Sequence, residues 1–425
     1  MQTDLSTSPI PNPQSKIQNP KWDAVACGHI CLDVIPGLAH LPAESFARVF
    51  QPGRLIDAGP VSFSTGGSVS NTGLVMNKLG VRTALMGKIG DDLFGAAIRQ
   101  IVARYGDDLA GGMIVDPGVA SSYTIVINPP GVDRIFLHCP GANDSFTASD
   151  ARYDLLAQAR LFHFGYPPLM KQFYTDDGAQ LTEMFRRAKA TGATTSLDMA
   201  LPDPTSLAGR ANWPVIVRNT LPYVDIFLPS IEEILYMTRR ETYDELRRQA
   251  GGPHILPLVT PTLLLDLSAQ LIDLGAKVVG IKLGERGLFL RTAGRAALET
   301  LGRAQPGDLA SWADRALWSP CFQVDVVGTT GAGDSTIAGF LCALLRGLSA
   351  EDALNMAVAV GACNVEAADA LSGVRPWDDT LRRIQAGWPK RALAVEAPGW
   401  VFDPQRQMWV RYASFERTGS AFKPV

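Results

Sequence analysis

From about residue 150 onward, strand-like apolar runs alternate with amphipathic stretches, and this alternation most narrows the folds open to the chain. Residues 161–165, 194–198, 225–229 and 278–282 each read as a short buried strand. Between several of them lie stretches with apolar residues at helical spacing, such as 180–189. That order predicts a mostly parallel sheet covered by helices. In such sheets ligands bind beyond the carboxyl ends of the strands, where the polar residues of this sequence keep falling.

The first half is organised differently. Residues 24–30 and 81–89 read as strands, and 71–79 as a helix stopped by Gly80. Residues 33–64 are irregular and read as a loop or an edge hairpin. Residues 123–128 and 134–138 flank Pro129-Pro-Gly-Val-Asp133 and read as a hairpin. Two later stretches look like insertions. Residues 291–319, rich in Ala, Arg and Gly, read as a surface excursion. Residues 389–425, with Trp400 and Trp409, read as a C-terminal extension packed on the body.

With 425 residues the chain exceeds what one small core holds. A net charge of −3 gives no reason to expect nucleic acid or an anionic membrane as partner. Residues 1–20 lack the charged start and apolar stretch of a signal peptide and read as a disordered tail. No apolar run is long enough to span a bilayer. The six cysteines show no CxxC spacing, which favours buried thiols in a reducing, cytoplasmic setting.

The chemistry concentrates in Gly328-Thr-Thr-Gly-Ala-Gly-Asp334. The run 322–327 before it reads as a strand, and 335–346 after it as an apolar helix. Glycines let backbone N–H groups approach a ligand closely, and the helix start favours an anion such as phosphate. A carboxylate there can also take a proton from an attacking hydroxyl. Taken alone, an Asp after a glycine reads first as a helix cap; the whole glycine-rich string, with the strand before it and the apolar helix after it, turns the reading to function. The loop is not a Walker P-loop, because no Gly-Lys-Ser/Thr follows.

The string from Val327 to Phe340 resembles the C-terminal signature of the ribokinase-like (PfkB) carbohydrate kinases. The resemblance implies a three-layer α/β/α fold with a small β-lid, and transfer of the γ-phosphoryl of Mg-ATP to a hydroxyl of a sugar or nucleoside. It casts Asp334 as the base and the amides of Gly331, Ala332 and Gly333 as an anion hole. Phe63-Ser-Thr-Gly-Gly-Ser-Val-Ser-Asn-Thr-Gly73 resembles the family's N-terminal signature, placing Gly66, Gly67 and Asn71 at the acceptor. Asp33 stands where the family anchors the sugar, and Asn143 follows the hairpin as an acceptor residue does. Leu228-Pro-Ser-Ile-Glu-Glu-Ile234 resembles the Asn-x-x-Glu motif, with Glu233 acting on Mg2+ through water and Ser230 in place of Asn. Gly280-Ile-Lys-Leu-Gly-Glu-Arg-Gly287 resembles the stretch that receives the ATP phosphates. Lys282, Gly284, Thr329 and Asn364 are thereby placed with the nucleotide. Arg134, at the hairpin, reads as a solvated charge or a phosphate ligand.

The family usually carries Asp where this chain has Gly328, which speaks against a strong monovalent-cation site. It often carries Asn where this chain has Cys31. The implied layout is a kinase body over 21–32, 65–120 and 141–388, and a lid over 33–64 and 121–140 that mediates a homodimer. Two alternatives stay open on the sequence: a catalytically silent relative that binds sugar or nucleotide as a regulator, and a vitamin-type kinase acting on a heteroaromatic alcohol.

Overall fold

Apolar runs bounded by glycine or polar residues become the strands of one large sheet in the computed structural model, which describes residues 20–40, 51–53, 55–128 and 135–412. The first eight strands are β1 (Trp22–Gly28), β2 (Cys31–Gly37), β3 (Gly59–Gly66), β4 (Thr83–Met86), β5 (Lys88–Gly90), β6 (Ile114–Asp116), β7 (Tyr123–Ile127) and β8 (Ile135–Cys139). The others are β9 (Ala159–Gly165), β10 (Thr194–Leu197), β11 (Ile226–Phe227), β12 (Val278–Lys282), β13 (Leu288–Thr292), β14 (Ala316–Ser319), β15 (Trp400–Asp403) and β16 (Met408–Arg411). The large sheet runs β15-β16-β14-β13-β12-β11-β10-β9-β1-β4. From β12 to β4 it is parallel, and from β12 to β15 every pair is antiparallel.

Helices cover both faces, so the central strands are buried on both sides. On β12, Val278 packs into one core and Val279 into the other; on β13, Leu288 and Leu290 alternate with Phe289 in the same way. This is the expected three-layer α/β/α arrangement. A four-stranded sheet, β3-β2-β7-β8, stands apart from it. Strands β2 and β3 pair antiparallel, which resolves the irregular 33–64 stretch as an edge hairpin around residues 41–50, themselves outside the described set. Strands β7 and β8 form the expected hairpin. Its tip, with Arg134, lies outside the described residues.

Three expectations need correction. The 81–89 run is not one strand: it breaks at Gly87, and β4 joins the large sheet while β5 pairs with β6. Residues 322–327 form no strand; only Phe322 makes a lone bridge, to Lys390. The edge of β14, the strand just before them, is taken by β16, so 322–327 do not pair there. Residues 291–319 are no surface excursion. Their ends are β13 and β14, Leu298, Ala304 and Trp312 are buried, and Arg303 donates to the carbonyls of Leu156, Ala159 and Thr191. Arginines that looked solvated are spent on backbone oxygens.

Four helices reach the site: α1 (Ser68–Lys78), α2 (Ile231–Thr238), α3 (Ala332–Leu345) and α4 (Ala350–Asn364). Helices α3 and α4 pack side by side through small residues. A Cβ on Gly339 would lie 3.0 Å from Val360, which is why this position carries none. Among the described residues no helix is long and apolar enough to cross a membrane.

Candidate active site

Helix α3 starts at Gly331, whose φ of 72° is the left-handed turn that a glycine makes without strain. Its first residues, Ala332 and Gly333, line the cavity described below. The Ala332 amide donates to Thr329 O at 3.2 Å, while the Gly333 amide, at the helix start, has no intrahelical acceptor. Asp334 is the third residue of the helix and does not cap it. Its carboxylate is buried and receives three side-chain hydrogen bonds. Tyr166 Oη donates to Oδ2 at 2.7 Å, Asn71 Nδ2 to Oδ2 at 3.1 Å, and Thr72 Oγ1 to Oδ1 at 3.1 Å. Burial raises its pKa, and these donors together with Lys282 work against that rise.

Lys282 ends β12 and Asp198 directly follows β10, so both sit at carboxyl ends of parallel strands. They pair at 2.5 Å, Nζ to Oδ1. The Lys282 stem lies against Gly333, about where that residue's missing Cβ would be in contact. Burial alone would lower the lysine pKa. Asp198, Glu233 and Asp334 outweigh it and raise it, so the ammonium stays charged. Asp198 Oδ2 is buried without a partner. Burial lifts the Asp198 carboxyl, against the pull of Lys282 and with the push of Glu233 and Asp334. Glu233 closes a capping box with Ser230 at the start of α2: its carboxylate accepts from Ser230 N at 2.6 Å. The helix-start reading of Glu233 therefore holds, while its charge still reaches Lys282 and Asp198.

A cavity of about 660 Å³ runs from Asp334, Tyr166 and Lys282 along α4. Gly284 and Thr329 line it, as do Phe322, Val324 and Val326 opposite Val358 and Ala362. Val326 is 57% exposed, an apolar wall open to whatever enters. Arg391, from the C-terminal segment, closes the far rim.

On the other side of Asp334 lies the four-stranded sheet. Asp33 on β2 tucks over β3, and a Cβ at Gly66 would come within 2.6 Å of its Oδ2. Only glycine admits the carboxylate there. Burial raises Asp33 to about 6, and hydrogen bonds from Cys31 and Thr124 pull it back. Gly67 precedes α1. Asn71 donates to Asp334 and leaves its own Oδ1 buried without a partner. His29 and His138 meet at 3.4 Å between Nε2 atoms, and His138 Nδ1 contacts Thr124 Oγ1 at 3.0 Å. Burial, with His138 adjacent, lowers His29 to about 3, so that ring is neutral.

Two expected site residues are not brought there. Asn143 spends both ends of its amide on the backbone of Ile30, accepting from N at 3.2 Å and donating to O at 2.9 Å. It fixes the start of β2 and does not face an acceptor. Asn364 is fully buried, donates to Ala370 O at 2.7 Å, and is not among the residues that line the cavity. Conversely, Tyr166, Thr72, Asp198, His29 and His138 were not anticipated. Asp198 and Tyr166 carried a signal, since each directly follows a parallel strand. Thr72 carried none, being one hydroxyl among several at the start of α1.

The family model described as pfkB family carbohydrate kinase matches residues 37–376. The probable fructokinase-4 of Arabidopsis thaliana is 23% identical over 329 residues, covering 76% of this chain and 82% of that one. Among solved structures, the Arabidopsis thaliana ribokinase complexed with ribose and ATP superposes with a TM-score of 0.60 at 20% identity, over 85% of this chain and 98% of that one. A putative ribokinase II from E. coli in complex with ATP and Mg2+ gives 0.59 at 20% identity, over 86% and 99%.

Proposed function

Because this chain belongs to the pfkB family of carbohydrate kinases, we propose that it moves the γ-phosphoryl group of Mg-ATP to a hydroxyl group of a sugar or nucleoside, with Asp334 as the base. One observation carries this reading. A buried carboxylate stands at a helix start where a long cavity meets the small sheet. The two relatives described as ribokinases and the one described as a fructokinase favour a sugar as acceptor.

The acceptor lies between Asp33 and Asp334, with Gly66 and Gly67 beneath it. Asp33 accepts hydrogen bonds from its hydroxyls, and the unpartnered Asn71 Oδ1 accepts another. As the acceptor oxygen bonds to the γ-phosphorus, its proton passes to Asp334. The bond from that phosphorus to the bridging oxygen breaks, and ADP leaves with the electron pair. The amides of Gly331 and Gly333, joined by that of Ala332 when it exchanges its bond to Thr329 O, receive the charge that gathers on the phosphoryl oxygens. Lys282 lies beside them and adds a point charge. Gly284 and Thr329 border the phosphates, and the Val326 and Val358 walls take the base.

The donors suit Mg2+. Three carboxylates surround one ammonium here, so a triphosphate would meet net negative charge without a divalent ion. Among the described residues no group of three His, Cys, Asp or Glu holds a metal alone. Mg2+ is commonly held by one or two carboxylates with phosphate and water; Glu233, acting through water, and the free Oδ2 of Asp198 would hold it. When bound, the ion would supply charge neutralisation at the phosphates.

No dependence on a monovalent cation is proposed. A side chain at Gly328 would come within 2.9 Å of Ala368 Cα and 3.0 Å of the Ala367 and Ala368 oxygens, so the loop packs as if no carboxylate belongs there. The four-stranded sheet is read as a lid that closes over the acceptor, excludes water and pairs with a second copy. The cytoplasm is the proposed compartment, on six free thiols. A silent regulator would have no use for a base held this closely. Sugar-dependent ADP release across a panel of sugars and nucleosides tests the reading; ATP consumption that no acceptor stimulates would count against it.

A further inference from the structure

We propose that Tyr166 is a positioning residue that decides which oxygen of Asp334 takes the proton, and that this oxygen is Oδ1. The inference rests on the reading of Asp334 as the base. An ionised carboxylate offers about four acceptor positions, two on each oxygen. Both positions on Oδ2 are filled, by Tyr166 at 2.7 Å and by Asn71 at 3.1 Å. Among the described residues Oδ1 receives one side-chain donor, Thr72 at 3.1 Å. The one open position is on Oδ1, and an acceptor hydroxyl fits there without displacing a protein donor.

Tyr166 is the donor that comes from outside α1. Asn71 and Thr72 are neighbours on that helix, whereas Tyr166 follows the last residue of β9. Its backbone sits at φ 67°, ψ 42°, a left-handed conformation uncommon for any residue but glycine. Pro167 comes next, and the residue before a proline is steered away from the right-handed helical region. Non-glycine residues held this way persist where their surroundings fix them, and they cluster at functional sites. Here the turn aims the phenol at Asp334. Burial, with Asp334 and Asp198 close by, pushes the phenol pKa well above the usual tyrosine range. The hydroxyl therefore keeps its own proton and acts on the carboxylate as a donor only. With Oδ2 closed, the carboxylate meets the acceptor in one way, which is the geometric restriction that speeds proton transfer.

The test is Tyr166→Phe, which keeps the ring and removes the hydroxyl. With both substrates saturating, kcat is expected to fall about tenfold while both KM values stay within about twofold. Losing a donor to the charged form raises the base pKa, so the acid limb of the kcat profile should move up by about one pH unit. Thr72→Val opens a second position on Oδ1 and leaves Oδ2 closed, so it is expected to lower kcat less than Tyr166→Phe does. A Tyr166→Phe enzyme with an unmoved acid limb and only a lower melting temperature would reduce Tyr166 to core packing and overturn the proposal. Equal losses in the two variants would overturn the choice of oxygen. Asp334→Asn separates the two levels. If it turns over like wild type, the base reading itself fails; if it is inert while Tyr166→Phe is unshifted, only the assignment of Tyr166 fails.

Discussion

Asp33 and Asp334 are both carboxylates drawn out of water, and their neighbours treat them differently. Asp334 receives three side-chain donors and the field of Lys282. Asp33 has weaker help, a thiol at 3.4 Å and the Thr124 hydroxyl, and burial raises it to about 6. Hydroxyl groups donate best to its ionised form. The KM for the acceptor should therefore climb as the pH falls through about 6, while the KM for ATP does not. A flat acceptor KM from pH 5 to 8 would remove Asp33 from the pocket. Asp33→Asn should raise the acceptor KM about tenfold or more, the loss of one charge-assisted hydrogen bond. The stability sign is opposite. A folded-state pKa above the unfolded value favours the fold below the unfolded value, and this support is lost as pH rises through about 6. Above pH 6 the Asp33→Asn protein should thus melt higher than wild type, with the gap closing toward lower pH. At this scale the sequence was informative where a residue sat in a string. Asp334 and Gly66 were legible because their neighbours had to be glycines. Asn143 and Asn364 were not, because an amide beside a motif gives no sign of which backbone it will bond.

At the scale of elements, the strands β1, β9, β10 and β12 were legible because burial on both faces demands continuous apolar runs. The run 322–327 looks like them and is not a strand. Pairing is a competition for sheet edges, and β16, some ninety residues further on, holds the edge of β14. The same distant hairpin hid the true place of 291–319, whose two ends are strands of the sheet that β16 extends. The loop 328–334 is placed by a comparable long-range contact. Gly328 donates to Val365 O and packs against Ala367 and Ala368, so the loop is pinned to the segment after α4 with no carboxylate between them. Turnover should accordingly be little changed when sodium replaces potassium at constant ionic strength. A several-fold rise with potassium would show that backbone oxygens alone build a cation site there.

For the whole molecule, the proposed lid pairing makes a prediction about assembly. Val61 and Phe63 on β3 and Leu137 on β8 are about half exposed, an apolar face at odds with a lid that works alone. A second copy is the occupant the proposed lid pairing calls for. Sedimentation should find a dimer at micromolar concentration, and Phe63→Asp should shift it to monomer. A wild-type monomer at that concentration would refute the pairing. This face was illegible in the sequence, because β3 alternates apolar and small polar residues as any half-buried strand does.

Asp334 must act chemically if this chain is a kinase of the proposed kind. The most direct measurement is mass-spectrometric detection of phosphorylated acceptor, with ADP quantified alongside, for wild type and Asp334→Asn on one sugar and nucleoside panel. At least one acceptor should gain a single phosphoryl group with equimolar ADP, and the variant should lose about a hundredfold or more, the scale of a general base. Wild-type protein that phosphorylates nothing, or a variant that matches it, would contradict the account.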